Sequence, residues 1–145
     1  MLDIMPVMGE YRHNIDSKNR LFIPAKHREA LGTPLVVYPN IRTKTLKICS
    51  VDEWRAITEK MSALPVVQRE RLMRFFNRMG DTFEPDAQGR VTLNQALVDY
   101  AGLKGSVYII GCGQNAEIWS EQEYESMSST LVTDELLAAA EDADV

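Results

Sequence analysis

The residues best equipped for chemistry are two arginines that close a repeated turn. Asp16-Ser17-Lys18-Asn19-Arg20 and Asp86-Ala87-Gln88-Gly89-Arg90 share the outline Asp-x-x-(Asn/Gly)-Arg, 70 positions apart. A guanidinium carries a rigid fork of N–H donors that matches paired oxygen acceptors, phosphate above all. An Asp at the start of a turn can accept hydrogen bonds from backbone N–H groups a residue or two ahead. Asn19 and Gly89 stand where the turn needs a residue tolerant of positive φ. Each motif therefore raises an Arg at a fixed place beside a tight loop. The alternative is that Arg20 and Arg90 only staple their own turns through Asp16 and Asp86, a contribution of about 0–1 kcal/mol when exposed.

The elements around these turns repeat with them. The same shift superposes Gly32 on Gly102, Val37-Tyr38 on Val107-Tyr108, Ile48 on Ile118, Ser50 on Ser120 and Glu53 on Glu123, without a gap. The first copy reads as strands over 11–15 and 20–23, a helix over 25–31 opened by Pro24 and stopped by Gly32, and strands over 35–38 and 45–49. Ser50-Val51-Asp52-Glu53 is a capping box, and Ser120-Glu121-Gln122-Glu123 is the same box in the second copy. The second copy reads as strands over 82–85 and 90–93, a helix over 95–101 with Asn94 as its N-cap, and strands over 106–110 and 116–119. A helix begins at Glu121.

Between the copies, Trp54, Ile57, Met61 and Leu64 fall at helical spacing up to Pro65. Over 66–79, Leu72, Met73, Phe75, Phe76 and Met79 form an apolar stripe flanked by Arg69, Arg71, Arg74 and Arg78. This second run reads as a connecting helix packed on the units or on a neighbouring subunit; a second nucleic-acid-facing surface is the alternative. A short helix over 133–139, capped by Thr133 or Asp134, precedes an acidic end. The expected class is α+β: two tandem β-α-β units forming a pseudo-symmetric, small barrel-like β core with flanking helices. The units span 9–54 and 81–128, joined by helices over 55–80 and followed by an acidic tail over 129–145. Units of roughly 45–50 residues are near the size at which an isolated core is marginal. The two are expected to share a core, with each other or with another subunit.

Several function classes lack support. Cys49 and Cys112 form no CxxC pattern and read as free thiols of a reducing compartment. The first nine residues lack the features of a secretory signal, and no apolar run approaches the ~20 residues of a membrane span. Gly111-Cys112-Gly113-Gln114-Asn115-Ala116 fits a loose dinucleotide pattern, but a strand rather than a helix follows it, so the glycines read as a hairpin turn. His13 and His27 belong to no catalytic grouping. No catalytic residue, metal ligand, cofactor or small-molecule substrate is expected.

The net charge of −5 hides an uneven distribution. Between positions 11 and 47 stand Arg12, Lys18, Arg20, Lys26, Arg28, Arg42, Lys44 and Lys47, against only Asp16 and Glu29. A local basic surface, rather than net charge, is what a polyanion meets. Lys26 and Arg28 diverge by about 200° around their helix axis and cannot share one face centre. The second copy has Ala96 and Val98 in their places.

The repeated turn, the segment Leu-Phe-Ile-Pro-Ala-Lys-x-Arg-Glu-x-Leu over 21–31, and Tyr100-Ala101-Gly102-Leu103 together resemble the MraZ family. The resemblance begins at Gly9-Glu10-Tyr11 and covers about 9–128. It implies a bacterial transcriptional regulator of two AbrB-like, swapped-hairpin-related units, cytoplasmic and nucleoid-associated. It also implies a ring-shaped homo-oligomer on promoter direct repeats of double-stranded DNA, typically repressing the cell-division and cell-wall gene cluster that includes its own gene. Residue by residue, the family's turn matches Asp16, Lys18 and Arg20, its basic helix positions match Lys26 and Arg28, and its second box matches Asp86, Gly89 and Arg90. Asn19 replaces the family's first Gly, and Asn94 its usual second Pro.

Arg20 is then the expected reader of base edges. Lys18, Lys26 and Arg28 are the expected phosphate contacts, with Arg12 and Arg90 as further DNA-binding candidates. The missing cations at Ala96 and Val98 would leave the second unit a larger part in assembly. The rival expectation is an oligomeric protein-interaction scaffold with only non-specific affinity for DNA.

Overall fold

A computed structural model describes residues 6–128 and 132–145. In chain order the elements are β1 (Glu10–Asn14), β2 (Arg20–Phe22), α1 (Ala25–Leu31), β3 (Leu35–Pro39), β4 (Leu46–Cys49), α2 (Val51–Ser62) and α3 (Val66–Met79). After them come β5 (Asp81–Phe83), β6 (Arg90–Thr92), α4 (Gln95–Ala101), β7 (Ser106–Gly111), β8 (Ala116–Ser120), α5 (Glu121–Ser128) and α6 (Asp134–Asp142). Helix starts follow the caps read from the sequence. Ser50 Oγ accepts from the Glu53 amide at 3.1 Å, Ser120 Oγ from the Glu123 amide at 3.1 Å, and Asn94 Oδ1 from the Leu97 amide at 2.9 Å. Thr133 caps α6.

The repeats are interlocked rather than set side by side. Six strands form one antiparallel sheet in the order β1-β7-β8-β4-β3-β5, and β2 pairs with β6 as a separate antiparallel ribbon. First-copy β1 thus lies on second-copy β7, and second-copy β5 lies on first-copy β3. Leu21 stands opposite Val91, and Lys47 opposite Glu117. Each of these residues faces its own repeat counterpart, so a local two-fold axis passes through both pairs. Two long-range hydrogen bonds obey the same symmetry: the Ile23 amide donates to the Gly89 carbonyl at 3.0 Å, and the Leu93 amide to the Asn19 carbonyl at 2.9 Å. Symmetry lapses at the sheet edges, where the β1–β7 and β3–β5 registers differ by two residues.

One shared core fills the space between ribbon and sheet. Leu21, Ile23, Val91 and Leu93 meet Leu35, Val37, Leu46, Ile48, Val107, Ile109 and Ile118, all buried. Burying a side chain of this size contributes about 1.5–3 kcal/mol, and neither copy holds the full set. A second cluster covers the other face of the sheet: Val36, Tyr38 and Cys49 pack with Met61 and Phe76, backed by Trp54, Ile57, Leu72 and Phe75. This is why all five residues of β3 are buried, and why the apolar stripe of α3 faces inward on its own chain. The strand pairing leaves β1 and β5 at the two ends of the order; main-chain bonds alone do not close a barrel. The glycines at 111 and 113 do turn a β7–β8 hairpin, with the Cys112 amide donating to the Asn115 carbonyl at 2.7 Å. Gly111 is required there, since a Cβ would lie 2.6 Å from the Val7 carbonyl oxygen and the Met8 Cα.

Candidate nucleic-acid interface

The two turns are built alike. Asp16 Oδ1 accepts from the amides of Lys18 and Arg20, each at 2.9 Å, while Asp16 Oδ2 accepts from Arg20 Nε at 2.6 Å. Asp86 Oδ1 accepts from the amides of Gln88 and Arg90 at 2.9 Å, and Asp86 Oδ2 from Arg90 Nε at 3.0 Å. Asn19 holds the left-handed conformation the turn demands, with φ of 60°, and Gly89 does the same at 81°. The arginine backbone amide is the largest influence on each carboxylate, and with the arginine side chain and the amide of Lys18 or Gln88 it holds Asp16 and Asp86 below the usual aspartate value. Both arginines therefore staple their turns, and they do so through Nε alone. No further hydrogen-bond partner occupies either guanidinium among the described residues, and both side chains remain about one-third exposed, 35% for Arg20 and 32% for Arg90.

Strand exchange places these two arginines together. Arg20 pairs with Thr92, and Phe22 with Arg90. Side chains alternate across a strand, so Leu21 and Val91 enter the core while Arg20, Phe22, Arg90 and Thr92 share the opposite face of the ribbon. Arg20 and Arg90 are diagonal neighbours on that face, a relationship that sets Cα atoms about 7–8 Å apart. A two-stranded ribbon is one of the two elements a DNA major groove, about 12 Å wide, admits.

The remaining cations divide around this ribbon. Lys18 is exposed at the tip of the first turn and Lys26 on α1. Arg28 is held: its Nε donates to the Ile23 carbonyl at 2.8 Å, and its guanidinium carbon lies 5.6 Å from the Phe22 ring centre. Its guanidinium also lies against Gly89, so the first copy's helix touches the second copy's turn. Arg12, on edge strand β1, donates to Ser106 Oγ at 2.8 Å and lies 3.9 Å from Glu121. Three residues that the sequence did not single out, Phe22, Thr92 and Gln95, complete the surface together with His13. Phe22 carries His13 edge-on at 4.9 Å, Thr92 is exposed on the ribbon, and Gln95 accepts from Asn19 Nδ2 at 3.1 Å while donating to Asp99 at 2.8 Å. Gln95 carried one faint signal, its place directly after the helix cap Asn94.

Other chemistries find little footing. Among the described residues no group of three or more His, Cys, Asp or Glu is placed to hold a metal ion, and no helix is long and apolar enough to cross a membrane. Both cysteines are free, and burial pushes Cys49 up to about 12 and Cys112 up to about 11. Neither is a thiolate poised for nucleophilic attack at neutral pH.

Interleaved tandem repeats that carry paired Asp–Arg turns define a class of chain in which one surface is written by both halves. The sequence model of the family described as "MraZ protein, putative antitoxin-like" matches residues 7–76 and again 79–145. The chain belongs to the MraZ family. It is 38% identical over 126 residues to the transcriptional regulator MraZ of Acetivibrio thermocellus, covering 83% of this chain and 85% of that protein. It is 37% identical over 144 residues to the protein of the same name from Caldicellulosiruptor bescii, covering 94% and 97%. A third of that name, from Clostridium tetani, is 34% identical over 133 residues, covering 90% and 93%.

Proposed function

We propose that this protein is a sequence-specific DNA-binding transcriptional regulator that reads DNA with the exposed face of the β2–β6 ribbon. The observation that carries the reading is the placing of Arg20 and Arg90 as diagonal neighbours on one ribbon face, each stapled through Nε and about one-third exposed. Such a fork can take two acceptors on a guanine edge, a contact worth about 1–3 kcal/mol of discrimination. Lys18 on the first turn and Lys26 on α1, both exposed, supply phosphate contacts and a salt-dependent share of affinity; Arg12 adds to them from the sheet edge. The transcriptional-regulator names of the relatives support the regulatory role, and the interleaved hairpins support an AbrB-like, swapped-hairpin reading of a barrel-like core.

A single ribbon reads only a few base pairs. A ring of copies set on promoter direct repeats multiplies weak contacts, by roughly 10²–10⁴-fold where repeat and subunit spacings agree. Repression of the cell-division and cell-wall gene cluster, including the protein's own gene, then follows from occluding the promoter in the cytoplasm and nucleoid. The test compares binding near 150 mM salt to a duplex from just upstream of the protein's gene with binding to a shuffled duplex of equal length. A preference of about 10³-fold or more is expected, as specific complexes commonly show. Equal, weak binding to both duplexes overturns the reading and promotes an interaction scaffold with a non-specific basic face.

A further inference from the structure

The two turns are held by helices of the opposite copies, and the holding differs. At the first turn, α4 reaches Asn19 through the Gln95 side chain. At the second turn, α1 reaches Gly89 through Arg28, whose counterpart on α4 is Val98. Arg28 packs over Phe22 and against Gly89 so closely that a Cβ on Gly89 would lie 2.8 Å from Arg28 Nη2 and 2.9 Å from the Phe22 ring. Ile23 joins the two partners: its carbonyl accepts from Arg28 Nε at 2.8 Å, and its amide donates to the Gly89 carbonyl at 3.0 Å. Gly89 is buried as a result, although it lies at the centre of a surface turn. Its neighbour Arg90 begins β6 opposite Phe22.

We infer that Arg28 is a positioning residue for the second turn, fixing Arg90 for recognition, rather than a contact to phosphate. The inference rests on the DNA-binding reading for its consequence, but its structural half stands on the free protein. Arg28 differs from Arg20 and Arg90 in what its guanidinium meets: besides the Nε bond to Ile23, it lies against the Gly89 backbone and beside the Phe22 ring, so its position is set by the second turn rather than left to solvent. Its planar shape is what fits the gap beside Gly89; the charge alone would not fill it. The cation that α1 carries in the first unit thus acts on the second unit's reader.

The experiment uses the full-length protein with Arg28→Ala, Arg28→Lys and Lys26→Ala. In the absence of DNA, amide hydrogen exchange at Gln88, Gly89 and Arg90 is expected to quicken in both Arg28 variants and to stay at the parent rate in Lys26→Ala. With specific duplex, Arg28→Ala is expected to keep the parent slope of affinity against salt while the ratio of specific to shuffled binding falls roughly tenfold, about what one base contact supplies. That fall is expected to vanish in an Arg90→Ala background. Lys26→Ala is expected to lower the salt slope by about one and leave the ratio alone. The inference is overturned if Arg28→Ala lowers the salt slope with exchange at the turn unchanged, or if Arg28→Lys behaves as the parent. If Arg28→Ala does not fold, Arg28→Lys carries the same tests. Failure of the DNA reading shows separately, as loss of specific binding by the parent protein.

Discussion

Arg20 and Arg90 lie 70 positions apart in the chain and are diagonal neighbours on one face of the β2–β6 ribbon. Replacing either by Ala is expected to cost about 1–3 kcal/mol of discrimination between specific and shuffled duplex, with the fold retained because Leu21 and Val91 still fill the core beneath them. If the first unit alone read DNA, Arg90→Ala would be silent and only Arg20→Ala would matter. Fluorescence anisotropy titrations of both variants on both duplexes decide between the outcomes.

Much of this was legible in the chain. The Asp-x-x-(Asn/Gly)-Arg boxes, the paired capping boxes and the helix at 66–79 all rest on local rules, and local rules operate whatever the topology. Strand partnership is a different kind of fact. Nothing local tells β2 that it will pair with β6 rather than with β1, since every strand in both copies offers similar apolar residues. Exchange therefore sets Arg28, which the sequence groups with Lys26 and Arg20, against Gly89 of the second copy, a contact no local rule announces. The same exchange qualifies the expectation drawn from Ala96 and Val98: the second turn lacks a cation from its own helix, yet meets one from the other.

The carboxylates of the turns make a prediction about acid. Asp16 and Asp86 are each held below the ordinary value of 3.8, first by the backbone N–H of the turn arginine and further by its guanidinium. An unfolded chain lacks these donors, so it binds protons at a pH where the folded chain does not. The resulting stability is fully present above the unfolded value and is lost as pH falls through the depressed folded values. Acid unfolding followed by circular dichroism is therefore expected to be steeper for the parent than for the double variant Asp16→Asn with Asp86→Asn in the range below pH 3.8. Coincident acid limbs would mean that the turns contribute nothing to acid sensitivity.

Asn19 tests how much the left-handed residue matters. Its φ of 60° costs most non-glycine residues about 1–2 kcal/mol, and Asn reduces that cost while also donating to Gln95. Asn19→Ala is expected to be the less stable of two variants, by about 1–2 kcal/mol relative to the parent. Asn19→Gly loses the Gln95 bond but regains an unstrained backbone, as Gly89 has in the second copy. Thermal unfolding of the pair checks the order, and an alanine variant as stable as the glycine variant would show that φ is not the controlling term.

The interlocked core predicts that the repeats stand or fall as one. Leu21 and Val91 are both fully buried and face each other across the ribbon on the local two-fold axis. Leu21→Ala is expected to cost about 2–5 kcal/mol, the range for a leucine truncated in a close-packed interior, and Val91→Ala less, since fewer methyl groups are removed. The double variant is expected to cost clearly less than the sum, because the two cavities open onto one another and can collapse together. Independent units would instead give additive losses and two unfolding transitions, one per repeat. Denaturant unfolding of the parent, followed by tryptophan fluorescence and by far-ultraviolet circular dichroism, is accordingly expected to give one coincident transition. Trp54 reports from α2 beside the first copy and Trp119 from β8 of the second, so separation of the two signals would contradict a shared core.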